Sequence, residues 1–131
     1  MRDVVRSRTA SHIIVGNADY ERLTDLANAS MQRLPDVAQE LLSEMDRAKV
    51  VDDGAVPQDV VRMGSTVTFK QDDGHVRTLK LVWPADESLD EHRISVMTPV
   101  GAALIGLHVG QSISWAARDG RRHQLTVQKV E

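Results

Sequence analysis

The chain has 131 residues, a formal net charge of −3, 41% hydrophobic residues and no cysteine. That length suits one ordinary domain, or a domain with a small appendage, and the lack of cysteine excludes disulfides and thiolate metal sites. No apolar run approaches the ~20 residues that span a bilayer, and Met1–Arg8 lacks the apolar stretch of a signal peptide, so the expectation is a cytoplasmic chain with no membrane partner.

Residues 1–53 hold ten acids and seven Lys/Arg, and residues 54–131 hold nine of each. No basic block stands out, which argues against direct, sequence-specific nucleic-acid binding. Aromatics are limited to Tyr20, Phe69, Trp83 and Trp115. The core is therefore expected from Val, Leu, Ile, Met and Ala.

Residues 1–11, with Arg2, Arg6 and Arg8, read as a disordered, solvated tail. His12–Val15 reads as a short extended segment. Asn17 suits a helix N-cap, with Asp19 and Glu21 at the positive end of the helix. Tyr20, Leu23, Leu26, Ala27, Ser30 and Met31 keep helical spacing, which predicts a helix near 18–32. Arg33-Leu34-Pro35-Asp36 breaks it and starts the next. Ala38, Leu41, Met45 and Ala48 then repeat as a heptad-like seam, with Glu40, Glu44, Asp46, Arg47 and Lys49 off it. Residues 12–53 are thus expected to form an antiparallel helical hairpin, a short coiled coil.

Gly54 and Pro57 end the helical region and open a second unit, 54–131. From Val60 the apolar period falls to two. Val67 and Phe69 lie on one strand, Asp73-Gly74 marks a hairpin turn, and Val76–Trp83 returns. Ile94–Thr98 reads as a further strand stopped by Pro99, and Val100–Ile105 as one or two helical turns. Gly106 stands where a left-handed residue closes a helix. Ser112–Ala117 and Gln124–Val130 are strands around a second turn at Asp119-Gly120. The fold class is α+β: a helical hairpin, then an antiparallel sheet of about five strands with one short helix.

Familiar chemistry is scarce. Gly101–Gly110 lacks the Lys and Ser/Thr of a phosphate loop. His12, His75, His92, His108 and His123 are scattered, with no helical metal-pair spacing. Asp86, Glu87, Asp90 and Glu91 form a dense acid cluster, but Leu89 interrupts it and no Gly supplies a calcium-loop turn. Arg121-Arg122 follows a turn and reads as exposed charge. No cofactor, metal site or catalytic residue is expected.

One stretch, Ser95-Val96-Met97-Thr98-Pro99-Val100-Gly101-Ala102-Ala103-Leu104-Ile105-Gly106-Leu107-His108-Val109-Gly110, resembles the core of the C-terminal domain of the Gre transcript-cleavage factors. Together with Val60–Val67 and Leu79–Ala85, it resembles still more the Rnk family, called regulators of nucleoside diphosphate kinase. The resemblance covers roughly 58–130 well and the first third more loosely. It implies an FKBP-like second domain that docks on RNA polymerase near the rim of the secondary channel, with the hairpin pointing inward. In the longer Gre coiled coil the tip carries paired acids that help hold a catalytic magnesium. Here Asp36 stands alone at the expected tip, beside Arg33 and one turn before Glu40. The expectation is therefore a non-catalytic regulator that competes with Gre factors without stimulating cleavage. Its expected contacts are Asp36 and the edge of the short helix: Pro99, Val100, Gly101, Leu104 and Ile105. Nucleoside diphosphate kinase is the alternative partner. Prolyl isomerase activity is the enzyme alternative, disfavoured because such a pocket is lined with aromatics.

Overall fold

The computed structural model describes residues 13–131. The expected tail over residues 1–11 lies outside them, as does His12.

β1 (Ile14–Gly16) leads directly into α1 (Asn17–Ala29), and α2 (Pro35–Arg47) leads into β2 (Lys49–Val51). β1 and β2 pair in parallel, Ile14 opposite Lys49, so the two helices are bracketed by a small two-stranded sheet. α1 ends three residues earlier than its spacing predicts, because the chain turns at Ser30, whose N–H bonds back to Leu26 and Ala27. Its N-cap is Gly16, not Asn17, and Gly16 has no side chain to offer. The missing acceptor comes from the linker: Asp53 Oδ1 takes the Ala18 N–H at 2.9 Å. A Cβ on Gly16 would stand 2.9 Å from that same oxygen. Glycine therefore makes room for a cap delivered from 35 residues downstream. Asp19, half-buried in the first turn of α1, receives the Met63 N–H and ties the helix to the next segment.

The second unit is a five-stranded sheet in the order β5-β4-β3-β7-β6. Its strands are β3 (Thr66–Gln71), β4 (Val76–Val82), β5 (Arg93–Ser95), β6 (Ser112–Ala116) and β7 (Arg122–Val130). The expected turn glycines are in place: Gly74 has φ +90° and Gly120 φ +83°. The sheet is mixed rather than all antiparallel, since β5 runs parallel to β4. The intervening segment holds two 3₁₀ turns, Pro84–Asp86 and Leu89–Glu91, and carries the chain back to its starting end. β5 also stops sooner than expected. Ser95 Oγ accepts the Met97 N–H and bends the backbone before Thr98.

α3 (Pro99–Leu104) follows. Its N-cap is Thr98, whose Oγ1 accepts the Gly101 N–H at 3.0 Å and donates to Ser95 O at 2.8 Å. Gly106 closes it at φ +82° and receives the Ile14 N–H on its carbonyl, which hooks β1 onto the second unit.

One hydrophobic cluster runs through the molecule. Leu23, Ala27, Ala38, Leu41 and Met45 from α1 and α2 join Val67, Phe69, Leu81, Leu125 and Val127 from the sheet, with α3 between them. The seam residues Ala38, Leu41 and Met45 therefore enter this common core, and α2 packs directly against α3. The helices depend on the sheet for burial, as short amphipathic helices do.

Candidate functional site

A groove of about 500 Å³ opens where the α1–α2 connection and α2 face β6, with Pro99 and Ala103 of α3 also lining it. From α2 come Asp36, Val37, Glu40 and Glu44. Those positions recur at three- and four-residue intervals, so they form one helical stripe. The opposite wall is different in kind. Six consecutive residues, Ile113 to Arg118, line it. A sheet face would contribute alternate residues, because successive side chains point to opposite sides. A continuous run means that the groove lies along the strand's backbone edge, and β6 is the last strand of the sheet.

Charge in the groove is uneven. Asp36 and Glu40 are exposed, while Glu44 is only 2% exposed. Burial pushes the Glu44 carboxyl up to about 7, against the pull of the Arg47 guanidinium bonded to it, with Glu40 adding a smaller upward push. Arg33 and Arg118 are the cations of the lining. Trp115 brings an indole whose Nε1 is buried without a hydrogen-bond partner, and its ring lies 5.3 Å from that of His123. A mostly apolar groove with a few polar groups at its walls binds by shape and backbone contact; nothing in it assembles a nucleophile and a base.

Two of the six expected contact residues meet here, although 63 positions separate them: Asp36, in the first turn of α2, and the half-buried Pro99. The other four are a correction. Val100 is 8% exposed, Leu104 0% and Ile105 1%, and Gly101 is buried with them. These residues are core. The small residue that suggested close approach to a partner instead approaches its own chain: a Cβ on Gly101 would stand 2.2 Å from Ser95 O. Sequence reasoning missed Glu44 and the β6 edge. Glu44 was placed off the seam, yet it lies three residues after Leu41 and next to Met45, close enough to the buried stripe to be drawn in.

Elsewhere the polar clusters are structural. The acid loop is bound by its own neighbours: Arg93 Nε donates to Asp86 O, Arg93 pairs with Glu91, and Glu87 accepts the Ser95 N–H. His75 pairs with Asp73, and Arg122 folds onto Ser114. Among the described residues no three His, Asp or Glu side chains gather closely enough to hold a metal ion, and no helix is long and apolar enough to cross a membrane.

A family model described as "Transcription elongation factor, GreA/GreB, C-term" matches residues 56–131, and one described as "Rnk N-terminus" matches residues 12–51. The Regulator of nucleoside diphosphate kinase of Escherichia coli (strain K12) is 40% identical over 120 residues, which is 91% of this chain and 88% of that protein. The Transcription elongation factor GreA of Rhodospirillum rubrum is 39% identical over 107 residues, 81% of this chain and 66% of that protein. Among solved structures, a prokaryotic transcription elongation factor GreA/GreB from Nitrosomonas europaea superposes with a TM-score of 0.71 at 34% identity, covering 90% of this chain and 98% of that one. With an Rnk-type N-terminal third joined to a GreA/GreB C-terminal unit, this chain belongs to the Rnk branch of the GreA/GreB family of regulatory factors.

Proposed function

We propose that this chain is a non-catalytic regulator that binds RNA polymerase in the cytoplasm, near the mouth of the secondary channel. There it competes with Gre-type factors without stimulating transcript cleavage. The groove between α2 and β6 is the docking surface, with Asp36 and Pro99 at the contact. One observation carries the non-cleaving half of the reading. The α1–α2 connection carries Arg33 and no acid, and the first turn of α2 adds a single carboxylate, Asp36. The next acid, Glu40, is four residues along the helix, about 6 Å at ~1.5 Å per residue, and Glu44 beyond it is interior. A hard divalent cation at the tip of a probe wants two oxygen donors there, and one carboxylate flanked by a guanidinium supplies too little charge.

The name of the 40% identical relative favours a second reading, direct regulation of nucleoside diphosphate kinase by protein contact. A single pull-down separates the two. The chain is immobilised and offered core polymerase and the kinase at low salt. Retention of polymerase, reduced at least tenfold by Asp36→Lys, is the expected result. Retention of the kinase alone would replace the first reading with the second. Adding the chain to backtracked complexes should leave the RNA uncut while inhibiting cleavage by a Gre factor.

A further inference from the structure

From the groove's two walls we infer that β6 accepts an added strand: an extended partner segment with a basic residue at every second position. This rests on reading the groove as the docking surface and specifies how the partner is held.

The register of the last hairpin shows which backbone groups are on offer. The Ala117 N–H bonds to Arg121 O and the Val127 N–H to Gln111 O. Between those pairs, Ile113 faces Leu125 and Trp115 faces His123. Hydrogen-bonded pairs alternate along an antiparallel ladder. Ser114 and Ala116 therefore fall at the other kind of position, and their N–H and C=O groups point away from β7, into the groove. The Arg122 guanidinium reaches across to Ser114 O at 3.3 Å, which leaves that oxygen a second lone pair and both N–H groups unengaged by β7. An edge with its donors turned toward an apolar trough is the arrangement that strand addition uses.

The helical wall sets the sequence of the guest. Asp36 and Glu40, the exposed carboxylates of the stripe, lie four residues apart, which is ~6 Å along an α-helix. Side chains on one face of a strand repeat every ~6.6 Å. A strand lying between α2 and β6 thus sets two alternate side chains beside Asp36 and Glu40, while Glu44 stays with Arg47 in the interior. The same side chains pass Ile113, Trp115, Pro99 and Ala103, which lie on the core side of β6 with α2, while the alternate ones follow Ser114 and Ala116 to the outer face of the sheet. The run from Ile113 to Arg118 sets the guest at about six residues.

The test uses the whole chain and a synthetic blocked heptapeptide of alternating valine and lysine. The same peptide with glutamate for lysine is the control. Amide exchange followed by NMR should show Ser114 and Ala116 slowed at least tenfold by the lysine peptide and unchanged by the glutamate peptide. Ser114→Pro removes an outward N–H and keeps the β6–β7 backbone ladder, and it should weaken the peptide at least tenfold while melting within a few degrees of the parent; Ser114→Ala, which loses only the Arg122 Nε bond to Ser114 Oγ, should bind the peptide as the parent does. Asp36→Lys with Glu40→Lys should weaken the peptide by a similar factor. Peptide binding that leaves both amides unprotected, or no binding at millimolar peptide, overturns strand addition. Polymerase retained equally by the parent and by Ser114→Pro would also overturn it, while leaving the polymerase reading intact. Protected amides in a chain that fails to retain polymerase would uphold strand addition and sink the polymerase reading.

Discussion

α2 and α3 both place a proline at the first helical position, Pro35 and Pro99, although only α3 follows an extended residue, Thr98. Their neighbours diverge. α3 is Pro-Val-Gly-Ala-Ala-Leu, without a charge, and its five residues after Pro99 are all buried. α2 has thirteen residues, of which Ala38, Leu41, Glu44 and Met45 are buried while Asp36 and Glu40 face out. A six-residue apolar helix has no solvent face, so it serves as packing between sheet and helices. A longer amphipathic helix has a second face, and here that face borders the groove. The stretch that first suggested the Gre resemblance contains α3, but the surface available to a partner lies on the helix it supports.

Substituting at each helix sharpens this contrast, and the largest effect belongs to α3. Gly101→Ala puts a Cβ 2.2 Å from Ser95 O and 2.9 Å from Val96 Cα. Both are backbone atoms, one at the end of β5 and one just past it, so the clash cannot be relieved by a side-chain rotation. We expect a loss of about 3 kcal/mol in urea unfolding, the upper range for overpacking a core. A change below 1 kcal/mol would mean that α3 is free to shift on the sheet.

Glu44 is the one place where α2 buries an ionisable group. Its folded pKa of about 7 lies above the ordinary 4.5, so the folded state binds the proton more tightly than the unfolded chain. The sign follows: stability contributed by this group is complete below about pH 4.5 and is lost as pH rises to about 7. At 1.36 kcal/mol per pKa unit the whole span is about 3 kcal/mol. Glu44→Gln cannot ionise and should abolish that slope, and the variant should be more stable than the parent at pH 8. Equal urea midpoints for the parent at pH 5 and pH 8 would show that Glu44 is not held in the interior.

How much of this was readable from the chain depends on whether a feature is local. The sheet was legible because Val67 and Phe69, then Leu79 and Leu81, alternate, and because Asp73-Gly74 and Asp119-Gly120 announce their turns. The α3 unit was legible in outline, from proline at one end to glycine at the other. Its surroundings were not. Gly101 signals close approach whether the approaching backbone is a partner's or its own, and only the fold shows Ser95 there. The groove was invisible for a similar reason. Its walls, 36–44 and 113–118, are about 70 residues apart, and a period of 3.6 or two describes an element without naming its neighbour. Sheet order escaped as well, since nothing in Ser112–Ala116 marks it as an edge.

The α1 cap joins the two units more weakly. Asp53→Ala removes the acceptor of the Ala18 N–H and leaves Gly16, which cannot replace it. The expected cost is about 1 kcal/mol, and roughly 3–4 °C in Tm for a chain of this size. Asp53→Asn keeps an oxygen at the same reach and should recover most of it. Equal melting of the alanine and asparagine variants would show that charge near the helix end matters rather than the hydrogen bond.

The smallest stability effect should belong to Asp36, and that is what makes it informative. Its side chain is exposed, and its only structural service is a negative charge in the first turn of α2. First-turn acids contribute about 0.3–1 kcal/mol at low ionic strength, less as salt screens them. Asp36→Ala should therefore shift the urea midpoint barely beyond error at 0.15 M salt. A residue that folding scarcely needs is free to be shaped by a partner, whereas the buried α3 residues answer to the core. If Asp36→Ala instead destabilised the chain as strongly as Gly101→Ala, the groove wall would be structural and the division of labour between α2 and α3 would fail.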